Sequence, residues 1–415
     1  MPKLPSEVDV VVCGGGIIGG AICYYLTQKP SLKVLCLEQE SKGSGSTQRS
    51  AAAFRQQFSS KVNIAFSLYS GRKYETFRQD FHLSQDVFHQ NGYLFLYSEE
   101  KLWEDALKRL KIQKNNGLSD VVALTDSALT KRFPEVCAQE TADFKIYGAT
   151  FCPTDGFLDP VLVCHAYFEQ AVSAGLQFFE RTPLQRIEVT NNKISAVYAN
   201  GQKIKTACVV NASGIWANEV LRSLGIAVPI VPVKRYLYTT NQLERNVRSL
   251  PMMVCNLGPY GRPEIGGLLL GWDERPEKPK DYHLFNPTPP PFEPNYEIEE
   301  GFGAKNLEGY GYQLLFEMAP YFPFMAEEVA LEAATCGYYD VSPDDRAILG
   351  EDPRIQGLIH AIGFSGHGVM HAPAVGDQIA QLVQRKTTTI DWKQALALAP
   401  LLKNEPRPDP EIMII

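Results

Sequence analysis

Val8-Asp9-Val10-Val11-Val12-Cys13-Gly14-Gly15-Gly16-Ile17-Ile18-Gly19 stands near the start of the chain, and its reading decides the fold. The valine-rich run has the composition of a strand buried on both faces of a parallel sheet. Glycines follow in the spacing Gly14-x-Gly16-x-x-Gly19, and a helical stretch continues through Leu26. Lys33-Val34-Leu35-Cys36-Leu37-Glu38 then reads as a second buried strand that ends on an acid. Strand, glycine turn, helix, strand and acid make one βαβ unit.

The glycine spacing is weak alone, because short glycine patterns arise by chance; its context gives it meaning. Gly14 permits the tight turn, Gly16 lets backbone approach a pyrophosphate, and Gly19 lets the helix pack on the strand. The first helical turn, with Ile17 and Ile18, offers amides and a positive dipole end to phosphates. Glu38, about 20 residues beyond the glycines and followed by Gln39, suits a hydrogen bond from an adenosine ribose hydroxyl. The sequence therefore predicts a dinucleotide site.

Composition bounds the rest. At about 150 residues per domain, 415 residues suggest two or three domains. Forty Lys+Arg against 47 Asp+Glu give a net charge of −7, the wrong sign for a chain that binds nucleic acid through phosphates. No apolar run approaches the roughly 20 residues of a membrane-spanning helix. The first residues carry neither a signal peptide nor an Arg-rich transit pattern, which predicts a cytoplasmic protein, or a mitochondrial-matrix one if a presequence has been removed. The nine cysteines are scattered with no Cys-x-x-Cys pair, so neither a metal site nor a disulfide framework is expected.

Further along, Asn91-Gly92 leads into an alternating strand over 93–97. A buried strand over 207–212 ends in Ala212-Ser213-Gly214. The proline-dense stretch 286–294 reads as a stiff surface excursion. A strand over 357–361 precedes Gly363-Phe364-Ser365-Gly366-His367-Gly368 and a helix through about Val383. No internal repeat is present. The picture is two domains, each entered more than once by the chain.

Together these pieces resemble the D-amino-acid-oxidase superfamily of flavoproteins, which includes sarcosine oxidases, glycine oxidase and related amine dehydrogenases. The likeness covers nearly the whole chain. It rests on the glycine motif, on Asn211-Ala212-Ser213-Gly214-Ile215-Trp216-Ala217, on Cys336-Gly337-Tyr338-Tyr339 with Ser342-Pro343-Asp344 and Gly350, and on the 363–368 turn. Arg55-Gln56-Gln57-Phe58, Lys234-Arg235-Tyr236, Asp340 and the terminal Ile414-Ile415 are similar to one branch, the FAD-dependent oxidoreductase domain-containing proteins; sarcosine oxidase β subunits are also similar. The resemblance implies an α/β fold. A glutathione-reductase-type, Rossmann-like FAD-binding domain would take residues 1–80, 150–230 and 335–395. An antiparallel-sheet α+β substrate domain would take 81–149 and 231–334, followed by a C-terminal tail, 396–415.

FAD would lie extended across the first domain, its isoalloxazine at the domain interface. By resemblance, Gly14, Gly16 and Gly19 hold the pyrophosphate, Glu38 the ribose, and Ser46 and Thr47 the phosphates and ribityl chain. Val189 supplies backbone contacts to the adenine. Ala212, Gly214 and Trp216 also border the cofactor, and Gly363, Gly366, His367, Gly368 and Val369 line the flavin. Arg49 and Arg55 point to the flavin or to a substrate carboxylate, which a guanidinium fork binds through two parallel N–H bonds. His367 is read either as a general base or as a simple hydrogen-bonding neighbour of the flavin. Tyr338 and Tyr339 either close the site or pack core.

Three departures refine the expectation. The family oxidases carry a lysine beside the flavin where this chain has Leu269, and a second, for the substrate carboxylate, where it has Met370. A dehydrogenase that passes electrons to a protein or quinone acceptor is expected instead of a fast oxidase. The cysteine that tethers flavin in the monomeric oxidases aligns with Gly337, and adjacent Cys336 should face the other side of its strand, so FAD is expected to be non-covalent. The expected activity is oxidation of the C–N bond of a secondary or N-substituted, amino-acid-like substrate. A 2-hydroxy acid dehydrogenase and a flavoprotein assembly factor for a respiratory complex stand as alternatives.

Overall fold

The computed structural model describes residues 3–137, 141, 144–272 and 286–412. Strand Val10–Cys13 sits inside a six-stranded sheet in the order Ile348–Glu351, Leu358–Ile362, Val209–Asn211, Val10–Cys13, Val34–Leu37, Gln177–Phe179. Its ladders are parallel, save that Ile348–Glu351 runs antiparallel at the edge. Side chains alternate between two apolar layers, as the period of two requires. Val10, Val12, Cys36 and Val210 face one core, under helices Ile17–Thr27, Pro160–Ser173 and Gly368–Val383. Val11, Cys13, Leu35 and Val209 face the other, under a three-stranded antiparallel meander over 184–205.

The second sheet has eight strands, in the order Leu331–Val341, Val231–Thr240, Gly267–Trp272, Pro259–Glu264, Met252–Cys255, Tyr93–Tyr97, Gly148–Cys152, Val122–Leu124. It is mixed, because Met252–Cys255 pairs in parallel with Tyr93–Tyr97. One face carries Tyr93, Phe95, Leu237, Met252, Tyr260 and Leu269 into the same core as the helices of the first sheet. The other carries Leu94, Tyr236, Tyr238, Leu268, Leu270 and Cys336 into a separate core with helix Tyr310–Met318. The shared core joins the two sheets and leaves the site between them.

The sequence reading needs adjustment at the crossings. Leu331–Val341 pairs along its length with Val231–Thr240, from Thr240 opposite Leu331 to Val231 opposite Val341. Gly148–Cys152 likewise continues the large sheet. The chain therefore leaves that sheet after residues 152 and 341, because a ladder with continuous partners does not stop at a motif boundary. The expected tail is built into the body: Leu396, Leu398 and Leu401 are buried in the cores, and Arg407 and Glu411 are buried as well. Ile414 and Ile415 lie outside the described residues. Among the described residues no helix is long and apolar enough to cross a membrane.

Candidate active site

A long cleft, open at its mouth, runs along the carboxyl ends of the parallel strands. Glu38 and Gln39 line it with Gly14, Gly16, Ile17, Ile18, Ser46, Thr47 and Arg49; Ala212, Gly214 and Trp216 border it, and so do Gly366, Gly368 and Val369. Ligands of open α/β sheets bind outside these strand ends.

The glycine turn has a division of labour that geometry reveals. Gly14 has φ +115°, and a Cβ there would lie 2.4 Å from the Ala212 carbonyl oxygen. A Cβ on Gly19 would lie 1.9 Å from the Gly14 oxygen. Both are needed for packing. A Cβ on Gly16 would meet only Thr47 Oγ1, at 3.3 Å, so this glycine faces the open cleft. The Ile17 amide donates to Thr47 Oγ1 (3.1 Å). Glu38 Oε2 accepts from the Gly15 amide at 2.5 Å and Oε1 from the Glu40 amide at 2.8 Å. Burial pushes the Glu38 carboxyl up, against the pull of those amides. Ser46 Oγ donates to the Tyr338 carbonyl (2.7 Å), which ties the phosphate-side turn to the large sheet. A backbone cradle, a helix start and a strand-end acid along one extended cleft fit a dinucleotide.

Besides Gly19, which packs the helix on the strand, two expected cofactor residues lie away from the cleft. Val189 pairs with Ile194 near the far end of its strand and packs on the core beneath the meander. Pro183 and Leu184, where that strand begins, line the cleft instead. The Gly363 amide donates to Asp340 Oδ2 (2.7 Å), and a Cβ there would face Ile230, Ser342 and Ile348, away from the cleft.

Arg55 and His367 meet in a second, smaller cavity that shares Ser50, Tyr260, Tyr339, Gly366 and Val369 with the long cleft. Arg55 is 1% exposed. Its Nη1 donates to the Gln57 carbonyl (3.2 Å), its Nη2 lies 3.2 Å from His367 Nε2, and its Cζ sits 4.2 Å from the Phe58 ring centre. A guanidinium only donates, so His367 Nε2 is the acceptor and Nδ1 carries the proton. Burial, and then the Arg55 charge and His371, hold the imidazole pKa well below its usual value. Its Nε2 lone pair is turned to Arg55, which places His367 here as a hydrogen-bonding partner of that guanidinium. Arg49 stands apart from this pair. It donates to the Ser44 and Gly45 carbonyls and lies 3.9 Å over the Tyr296 ring, facing the long cleft.

Leu269 lies on the site-facing side of the large sheet, directly opposite Arg262 in the ladder. Arg262 Nε donates to the Ala51 carbonyl (2.6 Å), and its Nη1 is paired with Glu264. Met370 lines the second cavity. Cys336 points into the far core, its Sγ 3.2 Å from the Tyr296 carbonyl oxygen, while Gly337 faces Arg49. Arg235 and Tyr260, which line the long cleft, were missed as site residues. The alternation of Val231–Thr240, with Tyr236 and Tyr238 in the far core, was a signal that puts Arg235 on the site side. Among the described residues no cluster of His, Cys, Asp and Glu could hold a metal ion.

These features define a dinucleotide-binding fold whose cleft lies between a parallel sheet and a large mixed sheet. The family model described as "DAO: FAD dependent oxidoreductase" matches residues 9–382, and the chain belongs to that family. It is 29% identical over 423 residues to FAD-dependent oxidoreductase domain-containing protein 1 of Xenopus laevis, covering 91% of this chain and 79% of that one. It is 25% identical to mitochondrial sarcosine dehydrogenase of Homo sapiens, covering 92% of this chain but only 40% of that protein. Among solved structures, L-proline dehydrogenase from P. horikoshii superposes with a TM-score of 0.82 at 26% identity, covering 97% of this chain and 100% of that one.

Proposed function

We propose that this FAD-dependent oxidoreductase oxidises the C–N bond of a secondary or N-substituted amino acid of the sarcosine or proline kind. The observation that carries this reading is the buried Arg55 guanidinium, set in a small cavity among Tyr93, Tyr260, Tyr339, Met252 and Met370 and adjoining the long cleft. Such a cavity suits a small body with one carboxylate. Bound FAD supplies a hydride-accepting ring. Gly14, Gly16, the first turn of the helix and Glu38 hold its dinucleotide portion, with Gly19 letting that helix pack close, and Gly366, Gly368 and Val369 border the ring end. Arg55 orients the carboxylate, and His367 fixes the fork. The tyrosines and methionines exclude water and receive the apolar part of the substrate.

The cofactor is held without a covalent bond, since the thiol of Cys336 is turned into the other core. Leu269 in place of a cation favours a dehydrogenase with a protein or quinone acceptor over a fast oxidase. The names sarcosine dehydrogenase and L-proline dehydrogenase among its relatives agree with the substrate class.

The test is an absorbance spectrum before and after acid precipitation, followed by anaerobic titration with N-methyl and cyclic amino acids. A yellow supernatant and bleaching near 450 nm (about the usual oxidised-flavin band) are expected, with slow recovery in air. Bleaching by 2-hydroxy acids alone would replace the amine reading with the hydroxy-acid one. Absence of any reduction would defeat both.

A further inference from the structure

The segment that follows Arg55 is gripped by the far end of the chain. Glu411 is 6% exposed, and its carboxylate accepts from the Ser59 amide (2.9 Å), the Ser60 amide (3.2 Å), Ser60 Oγ (3.1 Å), Asn63 Nδ2 (3.0 Å) and Ser59 Oγ. The Ile412 amide donates back to Ser59 Oγ (2.8 Å). Asp409 accepts from the next two amides, Lys61 and Val62, at 3.0 and 2.9 Å. The two acids therefore take the amides that open helix Lys61–Glu75, which have no acceptor within the helix itself.

The grip is anchored at its other end. Arg346 Nη1 donates to the Pro408 and Asp409 carbonyls, at 2.6 and 2.7 Å. Arg407 donates to the Ala347 carbonyl (2.7 Å) and pairs with Asp344. Burial opposes ionisation of Asp344, but Arg407 and Arg346 prevail and hold it below the usual carboxylate range. Ser59 directly follows Phe58, whose ring lies beneath the Arg55 guanidinium, and Arg55 donates to the carbonyl of Gln57. The Phe58 carbonyl is fixed by Gln113 Nε2 at 3.0 Å.

We propose that Glu411 is a positioning residue for Arg55: the C-terminal segment clamps the 55–60 loop and so completes the carboxylate end of the substrate pocket. The inference rests on the reading of Arg55 as the carboxylate receptor. The amide of Gln56 and the side chains of Gln56 and Gln57 are held from the other side by Asp155. Glu411 thus governs the downstream half of the loop, where the platform ring and the carbonyl acceptor of Arg55 lie.

The experiment uses the holoenzyme and two probes that differ only in charge, pyrrole-2-carboxylate and pyrrole-2-carboxamide, read by perturbation of the flavin spectrum. Removal of several hydrogen bonds to a buried charge in Glu411→Ala is expected to raise the carboxylate Kd about tenfold. The carboxamide Kd and the FAD content should stay unchanged, with faster hydrogen exchange at the amides of 59–63. Glu411→Gln, which keeps one acceptor oxygen, should fall between wild type and Glu411→Ala, and it carries the comparison if Glu411→Ala does not fold. Equal weakening of both probes, loss of FAD in both variants, or an unchanged carboxylate Kd would overturn the inference and leave Glu411 as a structural cap. A wild-type protein that binds both probes equally would overturn the Arg55 reading and this inference with it. A carboxylate preference that both variants retain would overturn the inference alone.

Discussion

The dinucleotide cradle and the Arg55 pocket share Gly366 and Val369 at their border, yet they are built in opposite ways. The cradle is largely backbone, and its central contacts fall within the first 50 residues: the Gly15 amide meets Glu38, and the Ile17 amide meets Thr47. It works through the absence of side chains, since phosphates are met by amides at a helix start. The pocket is made of side chains held by distant partners: Arg55 by His367, Gln56 by Asp155, and Ser59 by Glu411. Orienting one guanidinium fork needs several fixed contacts: the Gln57 carbonyl and the Phe58 ring are local, but the groups that hold the fork and its loop in place are distant.

The contrast predicts its own largest effect. In Gly19→Ala the new Cβ would sit 1.9 Å from the Gly14 carbonyl oxygen, a backbone atom that cannot step aside. Overpacking of this kind costs about 1–3 kcal/mol or more, so little yellow protein should be recovered and its Tm should drop. Gly16→Ala separates function from packing within the same motif. Its Cβ meets only Thr47 Oγ1 at 3.3 Å, so the apoprotein should keep its Tm while the Kd for FAD rises. Equal Tm losses in the two variants would show that the cradle has no such division.

This division also explains what the sequence made legible. Strand, glycine spacing, helix and terminal acid were readable because each is a local rule, and the two apolar faces of Val10–Cys13 follow from an unbroken run of small apolar residues. Arg55 was legible as a motif residue. Its setting was not, because nothing local relates position 55 to position 367 or to position 411. Val189 and Gly363 were misplaced for a related reason. A loose pattern fixes a strand without fixing which part of it meets the cleft, and the Gly363 amide is engaged by Asp340 from another strand.

The next effect probes the distant half of the comparison. His367→Leu removes the acceptor at Arg55 Nη2 and leaves the cradle untouched. A lost hydrogen bond to a charged group, at about 1.5–3 kcal/mol, corresponds to a fall in kcat/KM of roughly ten- to a hundredfold. We expect it in KM, with FAD content unchanged. His367→Asn, which keeps an acceptor, should recover part of the loss. A collapse of kcat with loss of the acid limb of the pH profile would instead identify His367 as a base.

The smallest effect concerns the charges that the pocket buries and the sign with which each responds to pH. Burial pushes the Asp155 carboxyl from 3.8 up to about 7, against the hydrogen bonds from Gln57 and Gln56. A carboxyl raised on folding keeps its proton in the native state first, so its contribution to stability is full below pH about 4 and is lost as pH rises toward 7. Asp340, pushed up to about 6 by burial, acts in the same direction. His371 behaves oppositely: burial, and then the Arg55 charge, depress it from 6.5 to about 3. The unfolded chain then takes up a proton that the native state refuses, so stability is lost as pH falls below 6.5, and His367 adds to that loss. Between pH about 4 and 6.5 the two slopes offset each other, and wild-type Tm should be nearly flat. Asp155→Asn removes Asp155's share of the carboxyl slope and leaves that of Asp340, so its Tm should rise with pH across that window. Thermal melts at intervals from pH 4 to 8 decide the matter. Parallel curves for wild type and Asp155→Asn would mean that Asp155 is ionised throughout, and that Gln56 and Gln57 stabilise its charge more strongly than burial opposes it.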